Sequence, residues 1–156
     1  QPLRSSGFDL VVRLTQAPLQ VTASWVYAWV TEGACASCLS LRREVPLNPR
    51  HAFALVAAVE EGGWRLGGEF YVTGRQQLDD NPYRSSSPTY AIIGALIRRR
   101  IGAAEVFLNL ENLGDIRQTR TDRLLRPAYS VRTGWTTEAW APLDGRAVNG
   151  GVRLSL

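Results

Sequence analysis

Apolar and polar residues alternate with a period of two along most of the chain, and no long window follows the helical period. Such a chain folds into strands whose two faces differ in character, and long helices are excluded. Phe8, Leu10, Val12 and Leu14 alternate with Asp9, Val11, Arg13 and Thr15. Leu19, Val21, Ala23, Trp25, Tyr27 and Trp29 follow in the same rhythm. A third run covers residues 51–60, apolar on both sides but with small Ala on one. Trp64, Leu66, Gly68, Phe70 and Val72 form the fourth, residues 89–99 the fifth, and Ala104, Val106, Leu108 and Leu110 the sixth. The seventh ends the chain, with Val148, Gly150, Val152, Leu154 and Leu156 on one side. The expected fold is all-β, an antiparallel up-and-down meander of about seven strands.

The connections are sorted by length. Residues 16–18, 61–63 and 100–102 read as tight turns. Residues 31–50, 75–88 and 113–146 are long, polar and rich in Arg, Asp, Asn, Ser and Pro. Soluble sandwiches seldom segregate short and long loops so strictly at opposite ends, whereas outer-membrane barrels do. Runs of eight to thirteen residues also bracket the roughly 9–11 needed to cross a bilayer at a tilt. Trp29 and Trp64, at strand ends, suit an aromatic girdle at a membrane boundary. The longest nearly unbroken apolar stretches, 52–59 and 90–97, fall far short of the ~18 residues of a spanning helix.

Strand parity adds a constraint. Single-chain bacterial barrels have an even number of strands, so seven do not complete one. An open sheet in lipid leaves rows of unpaired backbone groups, each costing several kcal/mol by rough estimate. Further strands are therefore expected from elsewhere. A further strand at 129–137 would instead give an eight-stranded barrel; the reading preferred here makes that segment an extension standing above the membrane. Composition agrees with a folded chain: 45 % hydrophobic and 21 % charged residues are close to globular averages. The formal net charge is +4, every basic residue is Arg, and Met is absent, so a matured product or a piece of something longer is expected.

Little points to catalysis. His51 is the one histidine and has no Ser or Cys partner at a fixed spacing, and no Gly-x-Ser-x-Gly elbow is present. No cofactor is expected from the sequence. Cys35 and Cys38 stand as Cys-Ala-Ser-Cys in a loop-like stretch. Two sulfurs and one histidine do not make a structural zinc site. A small loop disulfide in an oxidising compartment is expected, with a metal-capturing surface pair as the other reading. Arg98, Arg99 and Arg100 lack the interleaved aromatics of a nucleic-acid patch and sit at a tight turn, where interfacial anchoring explains them better.

Several segments resemble a known family. They are Val45-Pro46-Leu47-Asn48-Pro49-Arg50-His51, Gly74-Arg75-Gln76 with Asn81-Pro82-Tyr83-Arg84, and Leu108-Asn109-Leu110-Glu111-Asn112-Leu113-Gly114-Asp115. Trp140-Ala141-Pro142-Leu143-Asp144-Gly145-Arg146, followed by the terminal strand, completes the set. Together they make the chain similar to the C-terminal barrel portion of a TonB-dependent outer-membrane receptor. The end of the chain also resembles the signal read by the barrel-assembly machinery, carried by Asn149, Gly151, Leu154 and Leu156; family members usually end in an aromatic residue, where this chain has Leu156.

The resemblance implies a segment of a large bacterial outer-membrane barrel, 22-stranded in such transporters, with a plug in its lumen. Its implied task is uptake of a scarce ligand, such as an iron-siderophore or cobalamin, energised through TonB. Plug, earlier strands and the TonB-contacting region are absent from this sequence; lipopolysaccharide and lipid are further implied partners. In this frame Arg65, Glu69, Tyr71, Thr73, Glu105, Asn109 and Glu111 line the lumen. Arg75, Arg84, Arg117, Arg120 and Arg123, in the outer loops, converge on an anionic ligand. Against that stands lipopolysaccharide contact or ion pairing within the loops to Asp79, Asp80, Asp115 and Asp122. A small self-contained barrel or sandwich remains the competing fold, with Leu10, Trp25, Phe70 and Leu108 turned inward around an apolar ligand.

Overall fold

The computed structural model describes residues 2–33, 41–79, 81–130 and 134–155. Cys35, Cys38, Asp80 and Leu156 lie outside them. The chain is all-β. In order come β1 (Leu3–Gln16), β2 (Leu19–Gly33), β3 (Arg42–Glu44), β4 (His51–Glu61), β5 (Trp64–Thr73), β6 (Tyr90–Ile101) and β7 (Ala104–Glu111). A 3-10 turn at Gln118–Arg120 precedes β8 (Leu125–Ser130), β9 (Gly134–Thr136) and β10 (Ala147–Leu154).

Seven strands form one meander in the order β1-β2-β4-β5-β6-β7-β10, each pairing antiparallel to the next. The short β3 pairs with the far end of β2, so part of the long 31–50 connection continues the sheet. β8 and β9 pair with each other in a separate two-stranded ribbon. The 129–137 region thus adds no eighth strand to the wall. The ribbon also starts earlier than the sequence indicated, at Leu125. The three tight connections are two-residue turns; Gly62 and Gly63 both take positive φ, 56° and 77°, as a hairpin of the primed type demands.

Register decides which residues share a face, because a slip of one residue would exchange the faces. Leu10 stands opposite Trp25, and Trp25 opposite Phe53. Phe70 stands between Leu55 and Ile93, and Leu108 stands opposite Ile97. All of these lie on one side of the sheet, called here the outer face. Arg65, Glu69, Tyr71, Thr73, Glu105, Asn109 and Glu111 all lie on the other, in line with partners such as Arg98, Gly94, Ala54 and Asn149. Strand alternation therefore carries straight across seven strands without a break in parity.

The outer face is bare. Leu10 is 52 % exposed, Leu66 48 % and Leu108 38 %, although each sits in the middle of an apolar row. A domain ordinarily covers such a row with a second layer. Among the described residues, the buried hydrophobic side chains are Trp140 and Ala141, and both belong to the connection between β7 and β10. The tightly packed part of this chain is therefore a loop assembly at one end of the sheet. The inward-turned arrangement, with Leu10, Trp25, Phe70 and Leu108 sealed inside, is not the one seen.

Candidate functional site: the loop assembly and its arginine-lined cavity

Long polar loops cannot be buried unless their backbone groups find partners. In the β7–β10 connection those partners are side-chain amides. Asn112, at positive φ of 49°, is buried directly after β7. Its Oδ1 accepts from Ile116 N at 2.9 Å, while Nδ2 donates to the carbonyls of Ile116 and Asp144 at 2.9 and 3.2 Å. Asn tolerates the left-handed region better than most side-chain-bearing residues, and here its amide also ties the two arms of the connection together.

Gln118 performs a similar service deeper inside and has no solvent exposure. Its Nε2 donates to Glu138 O at 2.7 Å, and its Oε1 accepts from Trp140 N at 2.8 Å and Ala141 N at 3.4 Å. Gln76, after β5, donates from Nε2 to Trp140 O at 2.9 Å, and its backbone pairs with Ser87 through Gln76 N to Ser87 Oγ and Ser87 N to Gln76 O. Two long connections are thereby fastened together around Trp140.

Charge is folded into the same assembly. Asp122 has 2 % of its side chain exposed, and both its oxygens are occupied. Arg84 Nε and Nη2 donate to Oδ1 at 3.0 and 2.7 Å, and Trp140 Nε1 donates to Oδ2 at 3.2 Å. The Arg84 guanidinium also lies 5.9 Å from the Trp140 ring centre, within cation–π range. Nearby, Asp115 accepts from Arg117 Nη2 at 3.0 Å, from Arg120 Nη2 and from Arg146 N at 3.3 Å. Desolvation works to raise the Asp115 carboxyl, but the Arg146 N–H and the two guanidinium charges outweigh it and hold the group below its ordinary range.

Between these pairs lies a cavity of ≈ 510 Å³. Arg84, Arg117 and Arg120 line it with Asp115, Tyr90 and Trp140. Three guanidinium groups against Asp115 and Asp122 leave one net positive charge. Arg117 Nε is buried with no hydrogen-bond partner among the described residues. A cavity with aromatic walls and a surplus guanidinium suits an anionic group by both charge and shape.

Of the five outer-loop arginines singled out in the sequence, three meet in this cavity. Arg75 is exposed and lines a separate groove, and Arg123 is exposed, its carbonyl accepting from Thr137 Oγ1 at 3.3 Å. The ion-pairing alternative also holds for specific pairs: Arg84 with Asp122, Arg117 and Arg120 with Asp115, and Arg43 with Asp79 at 3.1 Å. Gln76, Ser87, Asn112 as a clamp, Gln118 and Trp140 as a hub were not singled out. Their partners are mostly backbone groups far along the chain, which no local pattern reveals.

The predicted inner-face set, Thr73 apart, is knit together on the sheet. Tyr71 donates to Glu69 Oε2 at 3.1 Å, and Asn109 donates to Glu111 Oε1 at 2.7 Å, with Asn149 reaching the same oxygen at 3.3 Å. Towards the tight turns an ionic ladder crosses five strands: Glu60 with Arg65 and Arg98 at 3.8 and 3.5 Å, then Glu105 with Arg98 and Arg153 at 3.3 and 3.9 Å. Arg98 thus belongs to this ladder. Arg99 lies on the outer face, its guanidinium 4.7 Å from the Trp64 ring centre. On β10, Asn149 and Gly151 face inward and Leu154 outward; Gly151 leaves room for the Phe107 ring, which a Cβ would meet at 3.0 Å. No protein-family model, curated protein or solved structure matches the chain.

Proposed function

We propose that this chain is a wall segment of a larger bacterial outer-membrane barrel of the TonB-dependent receptor kind. Its task on this reading is the uptake of a scarce ligand such as an iron-siderophore or cobalamin complex. The observation that carries the reading is a single apolar face, bare from β1 to β10, backed by a polar face laced with ion pairs and amides. Hydrocarbon would cover the first without cost, and an aqueous lumen would solvate the second.

The edges of the sheet support the same conclusion. β1 and β10 are not paired with each other. Seven antiparallel strands leave these two pointing the same way, so antiparallel closure needs an odd number of further strands between them. Unpaired edges in lipid cost several kcal/mol per group by rough estimate, and additional wall would remove that penalty. The arginine-lined cavity among the long loops then faces the side from which an anionic ligand arrives. Its surplus charge favours capture by steering.

Membrane flotation of the intact protein, with heat-modifiable gel migration, tests the barrel. Recovery as a monodisperse protein without detergent would sink it in favour of a self-contained binding fold. Import is tested separately, by uptake of labelled iron-siderophores and cobalamin in cells with and without TonB. A flat response to TonB across the panel would remove the transport part.

A further inference from the structure

The outer face carries a second cavity. A groove of ≈ 580 Å³ opens where β2, β4 and β5 reach the long loops. Its floor is apolar and continuous with the bare face: Trp25, Phe53 and Val72. Its rim is charged, carrying Arg50, Arg75 and Glu44. Close approach of two strand ends shapes the groove: Gly74 N donates to His51 O at 2.8 Å, and a Cβ on Gly74 would sit 2.7 Å from that carbonyl.

The rim is not neutral. Arg50 is bound to Glu44 through two hydrogen bonds, whereas Arg75 has no ion-pair or hydrogen-bond partner among the described residues. His51 adds a donor. Its Nδ1 accepts from Trp25 Nε1 at 3.3 Å, which assigns the proton to Nε2. The two rings stack with an interplanar angle of 12°. Apolar floor, uncompensated guanidinium and imidazole N–H meet at the boundary between the bare face and the loops.

We propose that this groove holds a phosphorylated lipid, its phosphate against Arg75 and His51 and its acyl chains along Phe53 and Val72. The assignment rests on the reading of the outer face as lipid-facing. A phosphate offers the planar fork of Arg75 two acceptor oxygens, and the chains have an uncovered apolar surface to follow. A free phosphate would use the rim alone and leave the floor idle.

Intact protein in phosphatidylcholine nanodiscs containing a minor share of phosphatidic acid provides the test, with retained lipid counted by native mass spectrometry. Phosphatidic acid should be retained in preference to phosphatidylcholine, and Arg75→Gln should cut that preference about fivefold, the worth of one basic side chain at a membrane surface. Arg123→Gln, exposed but away from the groove, should leave it unchanged. Equal retention of the two lipids, an equal loss with Arg123→Gln, or full displacement by inorganic phosphate would each overturn the proposal while leaving the barrel intact. Failure of the protein to enter neutral nanodiscs would overturn both readings.

Discussion

Gln118 shows how much of the loop assembly rests on one side chain. Replacing it with Ala removes the amide that Glu138 O and Trp140 N bond, at about 1–3 kcal/mol for the buried Trp140 N–H. The expected outcome is that trypsin cleavage after Arg123 accelerates tenfold or more in folded protein, since about 1.4 kcal/mol is a factor of ten. Unchanged cleavage would mean that the hub is not holding the connection. Asp115 makes a different prediction at the same scale. Its carboxyl is held below the ordinary 3.8 by Arg146 N–H and the charges of Arg117 and Arg120, against the opposing pull of burial. A lowered folded value means that the stabilisation is complete above the unfolded value and is lost as pH falls through the folded one. Hydrogen exchange at Arg146 and Ile116 should therefore quicken, beyond the intrinsic pH trend, as pH is lowered past about 4, and Asp115→Asn should flatten that response. None of this was written locally in the sequence. Asn112 lay within a segment singled out for its pattern, but the reason it must be Asn became visible only with Ile116 and Asp144 on either side.

Strands were far more legible, because alternation needs only neighbours to express itself. The seven wall strands, the three tight turns and both faces follow from period two. Where the sequence and the structure differ, the backbone does work that side chains do not advertise. β1 begins at Leu3, though Arg4-Ser5-Ser6-Gly7 has no apolar rhythm; these residues extend because β2 offers partners as far as Glu32. β3 lies in a stretch of Arg and Glu, held by main-chain pairing and by Arg43, which bonds Glu32 at 2.9 Å. Register is the element-scale claim open to direct test. Leu108 and Asn109 are adjacent on β7 and face opposite ways. Leu108→Arg places a cation on the outer face and should cost about 2–4 kcal/mol if that face meets the middle of a bilayer. Asn109→Arg keeps a donor beside Glu111 and should cost much less. Heat-modifiable migration of the two variants in the intact protein compares them, and equal impairment would contradict the assignment of faces.

At the scale of the whole molecule, the sheet and the loop assembly are held by different forces. The loops are fixed by buried hydrogen bonds and ion pairs around Trp140, while the sheet has backbone pairing and an ionic ladder but, among the described residues, no apolar layer behind it. The order of the strands could be read from sequence, because each connection is either too short to skip a neighbour or begins and ends on the same side. That the β8–β9 ribbon stays out of the wall agrees with the reading of that segment as an extension, whereas its start at Leu125 was not legible, since an Arg- and Thr-rich run carries no strong facial preference. What the two bare margins imply for residues 1–156 produced by themselves follows from direction alone. Because β1 and β10 run the same way, head-to-tail joining of copies would require a parallel seam, whereas a two-fold axis lets each margin meet its own kind antiparallel. The isolated polypeptide should then grow into fibres with two alternating joints. A single cysteine at Val12, in a background lacking Cys35 and Cys38, would cross-link to Val12 positions of other copies and not to a cysteine placed at Val152.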